Sequence, residues 1–304
     1  MTRRVERRLT RRVALVTCAE LPLADAETRM LIAPLAARGV SAYPVVWDDA
    51  QVDWASFDLA VIRSCWDYTA RRSEFVTWAA AVPRLMNPGG VIAWNTDKSY
   101  LAELAAAGIG VVPTTWLHPV DDGRLPWQLH DATEWVVKPA VSLAALDTGR
   151  YDITDPEHRR LAGEHVRRLQ QAGRTVMVQP YVTGIDTAGE VSLVFIEGRF
   201  SHAVRKGPVL AGPESGMDRR FAATRGLDLR PHLATPIQLD IAERALAAAP
   251  ASGNLLYARV DLVPDDDGAP LVMEVELTEP MLYFALAPAA AEHLASAIAA
   301  RAGA

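Results

Sequence analysis

The order of apolar and polar positions divides this chain into short strands and longer helices. Tyr257-Ala258-Arg259-Val260-Asp261-Leu262-Val263 and Leu271-Val272-Met273-Glu274-Val275-Glu276-Leu277 flank a turn-rich segment, 264–270, and together predict a β-hairpin. Upstream, Val13 to Thr17 reads as a buried strand, followed by a helix from about Asp25 to Arg38 that Gly39 ends. Ala42 to Trp47 and Leu59 to Arg63 supply further strands, with a helix from Arg71 to about Ala81. Strands alternating with helices predict a parallel sheet whose ligands lie beyond the carboxyl ends of the strands, here at Thr17-Cys18 and Arg63-Ser64-Cys65-Trp66-Asp67-Tyr68.

Asn95-Thr96-Asp97-Lys98 is expected to cap a helix through Ala107, placing Lys98 beside free amide donors at a natural anion site. Ile109 to Trp116 reads as extended. Glu134 to Pro139 is a strand with Lys138 near its end, and a loop of small residues, Ala140 to Gly149, follows it. The charged run from Pro156 to Ala172 predicts a helix whose His158 and His165 face solvent. Thr175 to Val182 is a strand broken at Pro180 that links two lobes. Glu190 to Phe195 and Arg199 to Arg205 form a second hairpin turning at Glu197-Gly198, with Lys206 at its exit. Helices are expected from Pro236 to Ala249 and from Ala287 to Ala302.

With 304 residues, half of them hydrophobic, the chain can bury a sizeable core and divides into two or three units. A net charge of −6 argues against a general nucleic-acid binder, whose affinity rests on neutralising phosphates. No apolar run reaches membrane-spanning length and the N-terminus lacks a signal-peptide core, so a cytoplasmic enzyme without a membrane partner is expected. The two cysteines, Cys18 and Cys65, are expected to be reduced, with no zinc spacing around them.

Strand alternation places Arg259 and Asp261 on one face and Glu274 and Glu276 on one face of the facing strand, and a turn centred near Asp267 brings Asp261 opposite Glu274. Carboxylates about 5 Å apart repel by roughly 3 kcal/mol at an effective dielectric near 20, so they need a proton, a basic partner or a metal. An all-oxygen acid set suits magnesium, which bridges to nucleotide phosphates; the alternative is a solvated acidic sheet face. The loop Arg63 to Tyr68 likewise has two readings, an anchoring turn in which Arg63 pairs with Asp67, or a substrate contact.

Taken with their separations, the lysine strand, the Gln179-Pro180-Tyr181-Val182 link, Glu190, Lys206 and the Arg259-Val260-Asp261 … Glu274-Val275-Glu276 hairpin resemble the ATP-grasp superfamily over nearly the whole chain. The resemblance implies an α/β and α+β architecture: a basic tail (1–12), an N-terminal Rossmann-like parallel-sheet domain (13–110), and two lobes (111–182 and 183–304) that close on ATP. It implies that Lys98 and Lys138 contact phosphate, that Gln179 to Val182 read adenine and that Glu190 binds ribose. Asp261, Glu274 and Glu276 are implied as Mg²⁺ ligands, and Arg259 and Lys206 as the catalytic cations on the γ-phosphate and the acyl phosphate. Glu276 falls where many members have asparagine, which adds negative charge and points to two magnesium ions. The loop after Lys138 is poorer in glycine than usual, with Val141, Leu143 and Leu146 where flexibility is the rule.

Val16-Thr17-Cys18-Ala19, Trp47-Asp48-Asp49, Arg63 to Tyr68, Asn95 to Leu101, Pro113 to Trp116 and Ser201-His202-Ala203-Val204-Arg205-Lys206 look like the branch of cyclo-ligases that forms D-cycloserine. The implied reaction is ATP-dependent activation of a carboxylate as an acyl phosphate and attack by nitrogen, closing O-ureido-D-serine to D-cycloserine. Thr17, Arg63, Asp67 and Glu279 are candidates to hold this amino-acid-like substrate, and the family's habit implies a homodimer. An intermolecular amino-acid ligase of the same fold is the nearest alternative. An inactive nucleotide-binding module is more remote, because the acid trio is intact.

Overall fold

A computed structural model describes residues 11–121, 125, 132–215 and 226–304. Most of the basic tail therefore lies outside the described residues, while Arg11 and Arg12 open the first strand. That strand, β1 (Arg11–Thr17), leads through α1 (Ala26–Arg29) and α2 (Ile32–Ala37) to β2 (Val40–Val46). Then come β3 (Leu59–Ser64), α3 (Arg72–Ala81), β4 (Leu85–Met86), α4 (Gly89–Asn95) and α5 (Tyr100–Ala106). The sheet is parallel in the order β2-β1-β3-β4, as the alternation of strands and helices predicts.

The helix expected over 25–38 is instead two short ones. Asp25 caps the first, accepting from the amides of Glu27 and Thr28. Pro34 lacks the amide that would bond back to the Met30 carbonyl, so the ladder breaks between them. The helix expected from Asn95 also divides: α4 ends at Asn95 and α5 opens at Tyr100 after Ser99. Lys98 thus sits in a turn, where its amide donates to the Ala140 carbonyl at 3.0 Å, and not at a helix start among free donors.

A second sheet, antiparallel in the order β5-β8-β6-β7, comprises β5 (Thr115–Leu117), β6 (Glu134–Pro139), β7 (Gly149–Asp152) and β8 (Val176–Pro180), with α6 (Pro156–Gln171) packed on it. The strand β7 opens at Gly149, where the expected loop ends, and its four residues are too few to show a period in the sequence. His165, expected in solvent, is 4% exposed and bonded through Nδ1 to the Tyr151 hydroxyl at 2.8 Å. His165 lies on the inward face of this charged helix, beside Ala162, Val166 and Leu169.

The third sheet runs β11-β10-β9-β12-β13. It is built from β9 (Glu190–Ile196), β10 (Arg199–Lys206), β11 (Leu229–His232), β12 (Tyr257–Pro264) and β13 (Pro270–Glu276), with α7 (Gly184–Ala188), α8 (Pro236–Ala248) and α9 (Pro288–Arg301) around it. The expected hairpins are present; β11 was not anticipated. From the end of the chain α9 returns to the first sheet, where Leu294 and Ile298 join Val13, Leu15, Leu31 and Leu35 in one core. No helix among the described residues is long and apolar enough to cross a membrane.

One feature fixes the hairpin to the first sheet's helices. The strand β13 is an edge; the backbone of Gly110 and Val112 bonds it at Val272, and side chains replace the missing neighbour beyond that. Tyr100 Oη donates to the Val275 carbonyl and accepts from the Val275 amide, both at 2.9 Å. Asn95 Nδ2 donates to the same carbonyl at 2.6 Å, and its Oδ1 accepts from the Leu277 amide and the Thr278 hydroxyl. Asn87 bridges the Tyr257 and Leu277 carbonyls and the Leu256 amide. Asn95→Ala strands these buried groups and is expected to lower unfolding free energy by about 3 kcal/mol. Urea denaturation checks this, and an unchanged midpoint would remove the edge-capping role.

Candidate active site

The hairpin register is the one the sequence implied: Asp261 faces Glu274 and Arg259 faces Glu276. The partners were not legible. Arg259 grips Asp261 with Nε and Nη2, each at 2.8 Å, and Nη2 also binds Glu276. Glu274 instead pairs with Lys98 Nζ at 3.0 Å, and the same ammonium donates to the Ser142 carbonyl at 2.7 Å. On the neighbouring strands the register sets Glu190 against Lys206, with Nζ and Oε1 at 2.5 Å. Gly189 precedes this pair at φ +79, and a Cβ there would meet the Lys206 carbonyl at 2.6 Å. Only glycine permits that approach.

Burial dominates the electrostatics. It lowers Lys138 to about 8, against the pull of Glu274. Burial also opposes the charge on Lys206, but Glu190 outweighs it and the ammonium is held firmly protonated. Burial likewise disfavours the Asp261 carboxylate, and Arg259 overcomes it, keeping that acid below its ordinary range. For Glu276 burial prevails despite Arg259, and with Glu274 nearby it rises to about 8. Glu279, buried and bonded to Tyr68, rises to about 7.

These groups line one cleft. Lys98, Lys138, Lys206 and Arg259 share its polar end with the acids. Its other end is apolar, walled by Val112, Val136, Val182, Ile185 and Met273, with Gln179 to Val182 along it. Gln179 Nε2 is tied to the Thr114 hydroxyl at 2.8 Å, and the Tyr181 ring lies 3.5 Å from the Arg150 guanidinium. The arrangement suits a molecule flat and apolar at one end and polyanionic at the other.

Of the four residues considered for substrate, Glu279 lines the cleft. Thr17 is buried and donates to the Leu21 carbonyl at 2.8 Å. Asp67 accepts from Trp47 Nε1 at 3.0 Å. Arg63 pairs with Glu27 at 3.3 Å and with the Pro280 carbonyl at 3.0 Å, so the expected Arg63–Asp67 turn is not what anchors this loop. Cys18 and Cys65 are free and buried, with their thiols pushed up by burial, Cys18 to about 11. Glu27, Ser192, Tyr283 and Asn87 carried no functional reading in the sequence; Asn95 was quoted there, but as the start of a helix and not as a cap on the hairpin edge.

Among the described residues, no three acidic, histidine or cysteine side chains stand in a metal-ligating arrangement, because Asp261 and Glu276 are turned to Arg259 and Glu274 to Lys98. The donor chemistry nevertheless fits a hard cation. Glu276 is lifted to about 8 by burial, with the neighbouring Glu274 and Asp261 carboxylates adding to the rise; added positive charge relieves that repulsion, and all the donor atoms are oxygen.

The fold is shared with solved ATP-grasp enzymes. A RimK domain ATP-grasp protein from Sphaerobacter thermophilus superposes with a TM-score of 0.66 at 19% identity, covering 96% of this chain and 100% of that one. The D-alanine–D-alanine ligase of Bacillus anthracis, solved with ATP, gives 0.63 at 15% identity, covering 96% and 97%. These likenesses define the ATP-grasp fold. Residues 13–87 match the family model of the D-cycloserine synthetase DcsG N-terminal domain. The cycloserine biosynthesis protein DcsG of Streptomyces lavendulae is 35% identical over 303 residues, 95% of this chain and 98% of that protein. The crystal structure of D-cycloserine synthetase DcsG superposes with a TM-score of 0.84 at 35% identity, covering 96% and 99%. The chain belongs to the DcsG family of D-cycloserine synthetases and is an ATP-grasp ligase, an enzyme that forms carbon–nitrogen bonds.

Proposed function

We propose that this ligase consumes ATP to activate the carboxylate of O-ureido-D-serine and closes it to D-cycloserine. The observation that carries the reading is the gathering of Lys98, Lys138, Lys206 and Arg259 among carboxylates at one end of a cleft that is apolar at the other. Its support in sequence is the 35% identity, over nearly the full length, to a cycloserine biosynthesis protein.

A carboxylate resists nucleophiles because of its charge and because oxide leaves poorly. Attack of its oxygen on the γ-phosphorus releases ADP and leaves an acyl phosphate, which removes both obstacles. Lys138, Lys206 and Arg259 are the cations for the phosphoryl oxygens, and positioning with charge neutralisation is most of what catalysis of this step requires. Lys98 holds Glu274 and the loop after Lys138 together. Adenine lies in the apolar slot beside Gln179, Pro180, Tyr181 and Val182, and Glu190 meets the ribose. Asp261, Glu274 and Glu276 would hold magnesium, which would supply further neutralisation of the phosphates.

The substrate's side-chain nitrogen bonded to oxygen then attacks the acyl carbon. A five-membered ring forms, phosphate leaves with the bonding electrons, and the nitrogen's proton passes to water. Ring closure within one molecule benefits from proximity and needs no second amino-acid site. O-ureido-D-serine carries a carbamoyl group that D-cycloserine lacks, so mass balance demands its removal by water as a separate step. The reading includes a cytoplasmic homodimer, which sedimentation velocity tests.

The deciding experiment is ADP release with Mg²⁺ and ATP, with and without O-ureido-D-serine, coupled to mass detection of the product. Substrate-dependent ADP with D-cycloserine is expected. ADP released only with pairs of amino acids would move the function to an intermolecular ligase.

A further inference from the structure

Residues 280–284 follow the acidic hairpin directly, and Met281 and Tyr283 from this loop line the cleft. Side chains from distant elements, Arg63 and Arg259 among them buried, hold its backbone. The carbonyls of Pro280, Met281 and Leu282 accept from Arg63 Nη2 at 3.0 Å, Arg259 Nη1 at 3.1 Å and His202 Nε2 at 2.8 Å. The amides of Leu282 and Phe284 both donate to Glu27, at 2.6 and 2.9 Å. Glu27 stands on α1 and is itself paired with Arg63.

Between those two amides Tyr283 adopts φ +55, a left-handed conformation that a bulky side chain avoids. Such a conformation persists where the surroundings over-determine it, and strain of this kind gathers at functional sites. Here Glu27 supplies the constraint on both sides. The result is a phenol ring 5.5 Å from the Arg259 guanidinium, with its hydroxyl 3.4 Å from Ser192 Oγ. That contact is longer than an ordinary hydroxyl–hydroxyl bond, so the Tyr283 proton is available to a ligand in the cleft.

We infer that Tyr283 is a catalytic residue whose hydroxyl donates to the reacting carboxyl or phosphoryl oxygens of the substrate, and that Glu27 is the positioning residue that aims it. The inference rests on the ligase reading above and adds two residues to its machinery. Glu27 acts through the backbone of 282–284 and touches no substrate itself.

Steady-state ADP release by the full chain tests this with Tyr283→Phe, Glu27→Ala, Glu27→Gln and the double variant Tyr283→Phe/Glu27→Ala. Loss of one hydrogen bond to a charged group predicts that Y283F lowers kcat about 10- to 100-fold, with KM for ATP within about two-fold of wild type. E27A is expected to lower kcat similarly, E27Q to recover only part of it, because its single carbonyl oxygen accepts from one of the two amides and its NH2 faces the other, and the double variant to be no slower than Y283F. Should E27A fail to fold, Glu27→Asp, which keeps the charge but shortens the reach, takes its place in the cycle. Wild-type kcat in Y283F, or effects of the two sites that multiply, would overturn the inference. A wild type that releases ADP only with pairs of amino acids would sink the cyclisation reading alone, because the ratio of Y283F to wild type still decides the role of Tyr283.

Discussion

Arg259→Met is expected to abolish ADP formation and to lower unfolding free energy by about 3–5 kcal/mol near neutral pH, the usual cost of removing one partner from a buried ion pair. Arg259 is 6% exposed and Asp261 2% exposed, and the guanidinium serves Asp261, Glu276 and the Met281 carbonyl together. Without it the buried Asp261 carboxylate loses its main partner, and Glu276 beside it loses the cation that favours its charge. The sign of the pH dependence follows from Asp261. Its folded pKa is depressed by Arg259, so its contribution is present above the unfolded value of 3.8 and lost as pH falls through the lower folded value. The variant lacks that contribution, so its deficit holds from neutrality down to about the unfolded value of 3.8 and shrinks only as pH falls below it. Urea denaturation across that range checks the trend. Arg259→Lys keeps the charge but cannot fork onto both acids, and should recover part of the stability and little of the activity. A variant as stable as wild type at pH 7 would mean that the ion triad contributes nothing to the fold.

Glu274→Gln tests the other half of the site. The side chain is about one-quarter exposed to the cleft, and its partner Lys98 keeps the Ser142 carbonyl at 2.7 Å when the carboxylate is gone. Stability should therefore change little. Activity should not survive, because the substitution removes a charged oxygen from the acid set proposed for Mg²⁺; a loss of about 10³-fold in ADP formation is expected, with a melting temperature near that of wild type. Raising Mg²⁺ should recover part of the loss. Full activity in this variant would show that Glu274 is not a metal ligand.

Several features were legible in the sequence because they depend on local repetition. A period of two fixes which side chains of Tyr257 to Val263 and Leu271 to Leu277 share a face, and a short turn fixes the register, so Asp261 opposite Glu274 followed from spacing alone. The alternation of strands and helices in the first hundred residues likewise determined a parallel sheet. Residues named from the family resemblance, among them Lys138, Gln179, Glu190 and Lys206, meet in the same cleft. Their individual roles rest on the experiments above.

Tertiary structure decided the rest. Whether Arg259 held one acid or two, and whether Lys98 faced free amides or Glu274, depended on how separate sheets met. The helix break at Pro34 was readable in principle, since proline lacks the amide, but the pattern of apolar positions ran through it. Glu27 carried no signal: in sequence it is an acid near a helix start, and only the folded chain brings it to the amides of Leu282 and Phe284. Sequence period records which face of an element is buried, because burial repeats with the turn of the backbone. It does not record which distant polar group a buried side chain will meet, because that partner is chosen by packing between elements and leaves no repeat in either segment.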